Sequence, residues 1–231
     1  DITKGVKTLL ADDGLFVFEA SYLVDVFEKT LFDTIYHEHL AYHTVWPLQR
    51  FFDRHGLELI KAERVASHGG SLRGVVQHKD GPHAVDGSVV ACVEHEAEIG
   101  LHKAATLQQF GEQICRVGME LMALLKSMKA SGRRIAGFGA PAKATTLMYQ
   151  FDMGPDMIDF IVDDSPLKQE LFSPGMHIPV LPSEALYSKR PDAVVVLAWN
   201  FADSIIEKHA AFVEQGGQFI VPLPTVRIVG S

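Results

Sequence analysis

The feature that most constrains the fold is the alternation of strand-like and helix-like segments from Gly132 onward. The strand-like runs are RRIAGFG (133–139), MIDFIVDD (157–164), DAVVVLAW (192–199) and QFIVPLP (218–224). Between them lie the helical patterns PAKATTLMYQF (141–151), SEALYS (183–188) and NFADSIIEKHAAFVEQGG (200–217). Such alternation is typical of a parallel sheet with helices on both faces. We therefore predict a Rossmann-like α/β domain here.

The first turn of this domain has the pattern of a phosphate-binding loop. GFGAPA at 137–142 fits G-x-G-x-x-A, between a strand and a helix, and Asp163 and Asp164 end the next strand. This is the pattern of a nicotinamide dinucleotide site with its ribose carboxylate. Lys143, however, adds a charge where that fingerprint relies on backbone N–H groups. Gly137, Gly139 and Lys143 therefore favour a site for some other phosphate ligand over a nicotinamide dinucleotide, and a structural turn is the remaining interpretation.

The first eighty residues indicate the end of a different α/β sheet. An amphipathic helix and the strand Leu15 to Phe18 are followed by helical patterns at 22–29 and 47–55. LELIKAERV (57–65) and SLRGVVQHK (71–79), joined by ASHGG, predict an antiparallel pair. The opening helix and strand require neighbours to cover them. We expect the chain to be the later part of a longer protein.

Residues 81–94 are rich in turn formers and are predicted to connect two domains, at 1–80 and 95–231. The second domain begins with a long helix at 95–129. Its apolar positions step by three and four residues: Leu107, Phe110, Ile114, Val117, Leu121, Leu124 and Met128. This stripe suits packing across a domain or dimer face. The oligomeric state is otherwise undetermined.

Composition excludes several classes of partner. The net charge is −8 and the basic residues form no run, so neither nucleic acid nor a membrane surface is expected as a partner. Cys92 and Cys115 are far apart without a CxxC motif, which argues against a disulfide scaffold, and they cannot form a structural zinc site by themselves. No apolar stretch is long enough to span a membrane. The expected protein is cytoplasmic and acts on a small molecule.

The loop FDTIYHEHLAYHT (32–44) concentrates groups that exchange protons. A metal could use His37, His39 and His43, although the alternating spacing is poor and no fourth ligand is near. The side chains could instead be ordinary polar groups at a domain edge. In a third interpretation, His39 accepts a proton, Glu38 supports the imidazolium, and Tyr36 hydrogen-bonds an oxygen that becomes negative. That chemistry yields an enolate, for which the residues alone identify no electrophile.

The sequence resembles the S-adenosylmethionine-dependent sugar C-methyltransferases, which act on nucleotide-linked ketosugars in bacterial deoxysugar pathways. Six segments bear the resemblance, in order along nearly the whole chain. They are LLADDGLFVFEASYLVD (9–25), FDTIYHEHLAYHT (32–44), GGSLRG (69–74), GFGAPAKATTL (137–147), FIVDDSPLKQELFSPGMHIPV (160–180) and VLAWNFADSI (196–205). The resemblance implies the end of a class I methyltransferase sheet at 1–80, followed by a C-terminal Rossmann-like domain.

The resemblance also assigns roles to residues. It implies that His39 is the base that removes the proton beside the keto group, with Tyr36 and Glu38 next to it. The enolate would then attack the methyl group of S-adenosylmethionine. Ser71, Arg73 and the 137–147 turn, with Gly137, Gly139 and Lys143, would help to bind a nucleotide-diphosphate ketosugar.

The cofactors implied by the resemblance lie mostly outside this chain. Zinc belongs to an N-terminal domain and the S-adenosylmethionine loop to the missing part of the middle domain. By itself, then, this part of the protein is expected to be inactive. An NAD(P)-dependent oxidoreductase, or a module that only binds nucleotide sugars, is the alternative.

Overall fold

The computed structural model of the chain describes residues 1–230, apart from the side chain of His68. The described residues divide into two compact units. The N-terminal unit is formed by Asp1–Lys29 and His39–Gly111, and the C-terminal unit by Thr30–Glu38 and the residues from Glu112 onward. The segment Thr30–Glu38 thus belongs to the unit built from the second half of the sequence.

The N-terminal unit is a three-stranded antiparallel sheet with helices. Its elements are α1 (Ile2–Leu9), β1 (Phe16–Ser21), α2 (Leu23–Glu28), α3 (Val45–Arg54), β2 (Leu57–Val65), β3 (Ser71–His78), α4 (Gly87–Ile99) and the start of α5 (Ala104–Ala130). Strand β3 is central and pairs antiparallel with both β1 and β2. Apolar residues alternate along these strands, so that Leu57, Leu59, Leu72 and Val76 reach one buried core.

The C-terminal unit contains a six-stranded sheet in the order β6-β5-β4-β7-β8-β9. Its elements are the rest of α5, β4 (Ile135–Phe138), α6 (Ala142–Phe151), β5 (Phe160–Val162), β6 (Val180–Leu181), α7 (Ala185–Lys189), β7 (Ala193–Val196), α8 (Ala202–Lys208), α9 (Ala210–Glu214), β8 (Gln218–Val221) and β9 (Arg227–Val229). All pairs are parallel except β8 with β9. The predicted parallel α/β architecture is confirmed.

Every residue of β4, β5 and β7 is buried, as expected for central strands of a parallel sheet. One face of the sheet packs against α7, α8 and α9 through Leu186, Ile205 and Phe212. Helices α5 and α6 pack closely at Gly118 of α5, which lies against the ring of Phe151 of α6. A Cβ added at Gly118 would be 2.6 Å from that ring. A larger residue at 118 would therefore separate α5 from α6.

Two details of the predicted connection were wrong. Residues 87–94, predicted to be a linker, form the first turns of α4, because the Asp86 carboxylate accepts a hydrogen bond from the Ser88 N–H (2.8 Å) as a helix N-cap. The helix predicted over 95–129 is interrupted at Gly100, which adopts a left-handed conformation (φ 78°) and ends α4. Helix α5 then begins at Ala104. No helix among residues 1–230 is long and apolar enough to cross a membrane.

A buried histidine makes the stability of the C-terminal unit depend on pH. His209, between α8 and α9, is 5% exposed. Its Nδ1 lies 3.0 Å from the Tyr187 hydroxyl, and its ring packs on Phe138. Burial lowers the pKa of His209, and Lys208 adds to this effect. The folded state therefore disfavours the proton that the unfolded state binds below about pH 6.5.

We expect the free energy of unfolding to decrease as the pH is lowered from about 7.5 to about 5.5, and to decrease less in His209→Gln. Glutamine still offers an acceptor to Tyr187 but does not titrate. Denaturant titrations at several pH values measure the difference, with His102→Gln, at an exposed position, as the control for loss of a histidine. An identical pH slope in His209→Gln and the parent protein would contradict the assignment.

Candidate functional site

The proton-exchanging loop predicted from sequence is mostly irregular in the structure. A single 3-10 turn covers Phe32–Thr34, and α3 begins at Val45. The division between the two units falls between Glu38 and His39. The three predicted catalytic residues are therefore contributed by both units. Tyr36 and Glu38 belong to the C-terminal unit, and His39 to the N-terminal unit.

Tyr36 and Glu38 are joined by a hydrogen bond. The Tyr36 hydroxyl donates to Glu38 Oε2 over 3.3 Å, and the Tyr36 ring lies edge-on to His37, with 5.7 Å between centroids. Tyr36 is half-buried, whereas the side chains of His37 and Glu38 are largely exposed. A phenol paired with a carboxylate can donate to a substrate oxygen or pass on a proton.

In the N-terminal unit, His39 is half-buried and its ring is edge-on to Tyr42, with 6.3 Å between centroids. His43 is tied to β1 and α2 through its backbone, because its N–H donates to Ser21 O (3.2 Å) and its carbonyl accepts from the Leu23 N–H (2.9 Å). Burial lowers the pKa of the His43 ring. These contacts suit a structural role for His43.

A metal at this loop was the first interpretation of its histidines. Among the side chains that the structure describes, His, Cys, Asp and Glu do not form a group of three that could hold a metal ion. The backbone of His43 is engaged as described above.

Glu96 fixes the C-terminal end of the loop within the N-terminal unit. Its carboxylate, 5% exposed, accepts hydrogen bonds from the first two N–H groups of α3, at Val45 (2.6 Å) and Trp46 (3.2 Å). It also accepts from the Tyr22 hydroxyl (3.0 Å). Burial and the Glu96 charge raise the pKa of Tyr22, so the phenol remains a donor. The acceptor satisfies N–H groups that have no partner within the helix.

Asp33 fixes the other end of the loop, within the C-terminal unit. Its side chain is completely buried, and Oδ2 accepts a hydrogen bond of 2.6 Å from the indole N–H of Trp199. The ammonium of Lys143 lies 3.4 Å from the same oxygen and 4.1 Å from the centre of the Trp199 ring. Asp33 Oδ1 is buried without a hydrogen-bond partner among the described residues. We call Asp33, Lys143 and Trp199 the carboxylate anchor.

The anchor combines burial with compensating charge. Burial raises the pKa of Asp33, while Lys143 and the Trp199 N–H act in the opposite direction. Burial lowers the pKa of Lys143, and Asp33 opposes that shift. A buried charge is costly unless it is paired, so each of these groups makes the other tolerable.

Two further contacts hold the Thr30–Glu38 segment to α6. The Phe32 ring packs on Phe151 with 5.2 Å between centroids, and the Thr146 hydroxyl donates to Ile35 O over 3.3 Å. Lys143 and Thr146 lie on the helix that follows the glycine turn, and Trp199 follows β7. The motifs that resembled a ligand site thus also contact the loop.

The glycine turn makes several close contacts within the protein. Gly139 has φ 88°, and a Cβ there would lie 2.5 Å from Ala198 Cβ. Asp163, at the position of the expected ribose carboxylate, accepts hydrogen bonds from Ala140 N (2.7 Å) and Ser165 N (2.8 Å). At Gly137, a Cβ would meet Leu197 at 2.9 Å. The glycines are thus explained by close packing, and these contacts do not favour a dinucleotide.

The predicted phosphate-binding role of Lys143 stays a prediction, and the structure adds its pairing with Asp33. Ser71 and Arg73 lie on β3 in the N-terminal unit. Ser71 is buried and donates to Ser67 O (3.1 Å), whereas the Arg73 guanidinium contacts Glu19 Oε1 at 2.6 Å and 2.9 Å. The contribution of Ser71 and Arg73 to substrate binding is likewise untested.

Three residues with clear roles were missed by the sequence analysis: Asp33, Glu96 and Trp199. Asp33 lies between apolar residues in LFDTI, which is an unusual setting for a carboxylate and was the available signal. Glu96 is buried, but it lies on α4 between acidic residues that are exposed, and no local sequence pattern distinguishes it from them. The partners of Asp33, Glu96 and Trp199 are distant in sequence, so only the folded structure identifies these pairs.

The Asp33–Lys143 pair should show strong energetic coupling. Removing one partner, by Asp33→Asn or Lys143→Met, is expected to lower the free energy of unfolding by about 3 kcal/mol, because the other charge stays buried. The double variant should lose less than the sum of the two. Denaturant titration of all four proteins gives the coupling energy.

The exposed pair Arg227–Asp203, 2.9 Å apart, provides the matched control for that cycle. Its coupling energy should be below about 1 kcal/mol, as for other exposed ion pairs. Equal coupling energies for the two pairs would show that Asp33 and Lys143 do not compensate each other.

Known proteins share sequence similarity with the whole chain. Residues 66–224 match the model of a family described as the C-methyltransferase C-terminal domain. Over all 231 residues, the chain is 35% identical to the C-methyltransferase NovU of Streptomyces niveus. The chain spans about 55% of the length of that relative. The chain therefore belongs to the C-methyltransferase family, of which it contains the C-terminal domain.

Proposed function

We propose that the complete protein transfers a methyl group from S-adenosylmethionine to a carbon beside the keto group of a nucleotide-linked 4-ketosugar. Membership in a C-methyltransferase family supports the transfer to carbon. The observation that supports the site most is the hydrogen bond from Tyr36 to Glu38, directly before His39 in the chain. We also propose a bacterial deoxysugar pathway in the cytoplasm as the setting, as the family resemblance of the sequence motifs implies, and the relative from Streptomyces niveus is itself bacterial.

Transfer of a methyl group to carbon requires a carbon nucleophile. A C–H bond becomes acidic enough for this when it lies next to a carbonyl group, because the resulting negative charge is shared with the oxygen. A base must remove the proton, and a donor must stabilise the oxygen that becomes negative. These two requirements explain why a histidine and a tyrosine are needed together.

We assign the base to His39 and the oxygen donor to Tyr36. A neutral imidazole accepts a proton near neutral pH, and the Tyr36 hydroxyl can turn from Glu38 to the substrate oxygen. Glu38 holds the hydroxyl when no substrate is bound and adds negative charge that stabilises the imidazolium. His37 and His43 have no part in this scheme.

When bound, S-adenosylmethionine supplies an electrophilic methyl group. At the glycine turn at 137–142, Gly139 lies against Ala198 and the Ala140 N–H donates to Asp163, so these contacts give no support for a methyl-donor site there. We therefore propose that residues outside this chain hold the methyl donor, and we assign it no contact here. The share of this chain is to bind the ketosugar and generate the nucleophile.

In the complete protein, His39→Gln should lower kcat for methyl transfer by about 10²-fold or more, the usual contribution of a general base. Affinity for the nucleotide sugar should change only a few-fold, because glutamine retains a polar side chain of similar size. Tyr36→Phe should lower kcat as well, since it removes the oxygen donor. Steady-state kinetics and calorimetric titration with a thymidine diphosphate ketosugar measure the two effects.

The matched control is His102→Gln, which changes an exposed histidine of the same unit outside the loop and should leave kcat within about two-fold, as is usual for an exposed side chain. Near-normal turnover by His39→Gln would remove the proposed base. Tight binding of NADH by the protein would favour the oxidoreductase alternative.

A further inference from the structure

We propose that the carboxylate anchor, Asp33 with Lys143 and Trp199, positions the catalytic loop, so that Asp33 and Trp199 govern the rate of proton abstraction without touching the substrate. This inference rests on the proposed function, because it assigns the anchor a purpose in that reaction. Asp33 and Trp199 are positioning residues in this proposal, Lys143 is their charge partner beside its predicted phosphate contact, and Tyr36 is the group through which the anchor acts.

A short, hydrogen-bonded stretch of backbone joins Asp33 to Tyr36. The 3-10 turn is closed by the Thr34 N–H donating to Leu31 O (3.2 Å) and the Ile35 N–H donating to Phe32 O (3.0 Å). The Tyr36 N–H then donates to Thr34 O (3.0 Å). Consecutive bonds of this kind restrict the backbone dihedrals between the two residues. A displacement of Asp33 is therefore transmitted to the Tyr36 backbone.

The anchor holds the Asp33 carboxylate in one direction. The indole N–H of Trp199 donates along one fixed line, and Trp199 is itself held in a 3-10 turn at Trp199–Phe201 after β7. Lys143 lies in the first turn of α6, after β4. Two central strands of the parallel sheet thus supply the two groups that hold one carboxylate oxygen. Rigid elements of this kind fix a site more accurately than loop contacts alone.

Burying the Asp33 carboxylate is energetically unfavourable. Asp33 is completely buried, and one of its oxygens has no partner among the described residues. A buried carboxylate with an unsatisfied oxygen is less favourable than an apolar side chain of similar size would be. Polar groups of this kind can fix one particular conformation, and the conformation fixed here is that of the loop with Tyr36 and Glu38.

The test uses Trp199→Phe in the complete protein, which keeps an aromatic ring over Lys143 but removes the N–H. We expect kcat for methyl transfer to fall about ten-fold or more, because small misplacements of catalytic groups are costly. Affinity for the nucleotide sugar should stay within about three-fold of the parent, since no proposed substrate contact is removed. Amide hydrogen exchange in peptides covering residues 34–38 should become several-fold faster.

Tyr187→Phe is the matched control, because it also removes one side-chain donor, to His209, in the same unit. It should leave kcat and the exchange of residues 34–38 unchanged. For Lys143→Met, the matched control is Lys129→Met, which removes the Lys129–Asp159 pair (2.9 Å). Lys129→Met should likewise leave kcat and the exchange of residues 34–38 unchanged. Comparing variants of equal unfolding free energy separates positioning from a general loss of stability.

Unchanged exchange of residues 34–38 in Trp199→Phe would overturn the proposal, as would an equal loss of kcat in Tyr187→Phe. Faster exchange with normal kcat would also overturn it while leaving the proposed function intact, provided that His39→Gln is inactive. An active His39→Gln would instead contradict the proposed function. Hydrogen exchange does not depend on turnover, so the two failures are distinguishable.

Discussion

We propose that the arrangement of the loop at Thr30–Glu38 depends on the burial of one carboxylate, that of Asp33. A charge of this kind is stable away from water only with a compensating cation and a hydrogen-bond donor, and Lys143 and Trp199 provide them. Because those partners follow β4 and β7, the short segment around Asp33 belongs to the C-terminal unit although its flanking residues belong to the other. The contacts of Phe32 and Ile35 with α6 hold the same segment, which carries Tyr36 and Glu38.

The residues of a dinucleotide-like motif serve contacts within the protein here. In the usual fingerprint, glycines and a carboxylate face the pyrophosphate and the ribose. Here Gly139 makes room for Ala198, and Asp163 accepts the Ala140 N–H. Lys143, at the start of the following helix, turns to Asp33. A Rossmann-like architecture can thus use its turn to hold a neighbouring segment, and fold alone does not identify a ligand.

Local patterns in the sequence predicted the regular elements well. The parallel sheet of the C-terminal unit and the antiparallel β2–β3 pair follow from apolar periodicity and turn residues, and both are confirmed. The start of α4 was missed because Asp86, Gly87 and Ser88 favour turns and helix caps alike. The Asp33–Trp199 hydrogen bond joins residues 166 positions apart, and no local pattern reports a contact at that distance. The ordered motifs nevertheless identified the family, which the comparison confirmed.

The most direct test of this account is exchange of the sugar proton with solvent in the absence of the methyl donor. The complete protein would be incubated with the nucleotide-linked 4-ketosugar in deuterium oxide, and incorporation at the carbon beside the keto group followed by NMR. The account predicts incorporation by the parent protein, none above background by His39→Gln, and slower incorporation by Trp199→Phe. Equal incorporation by all three proteins would contradict both the base and the anchor that positions its loop.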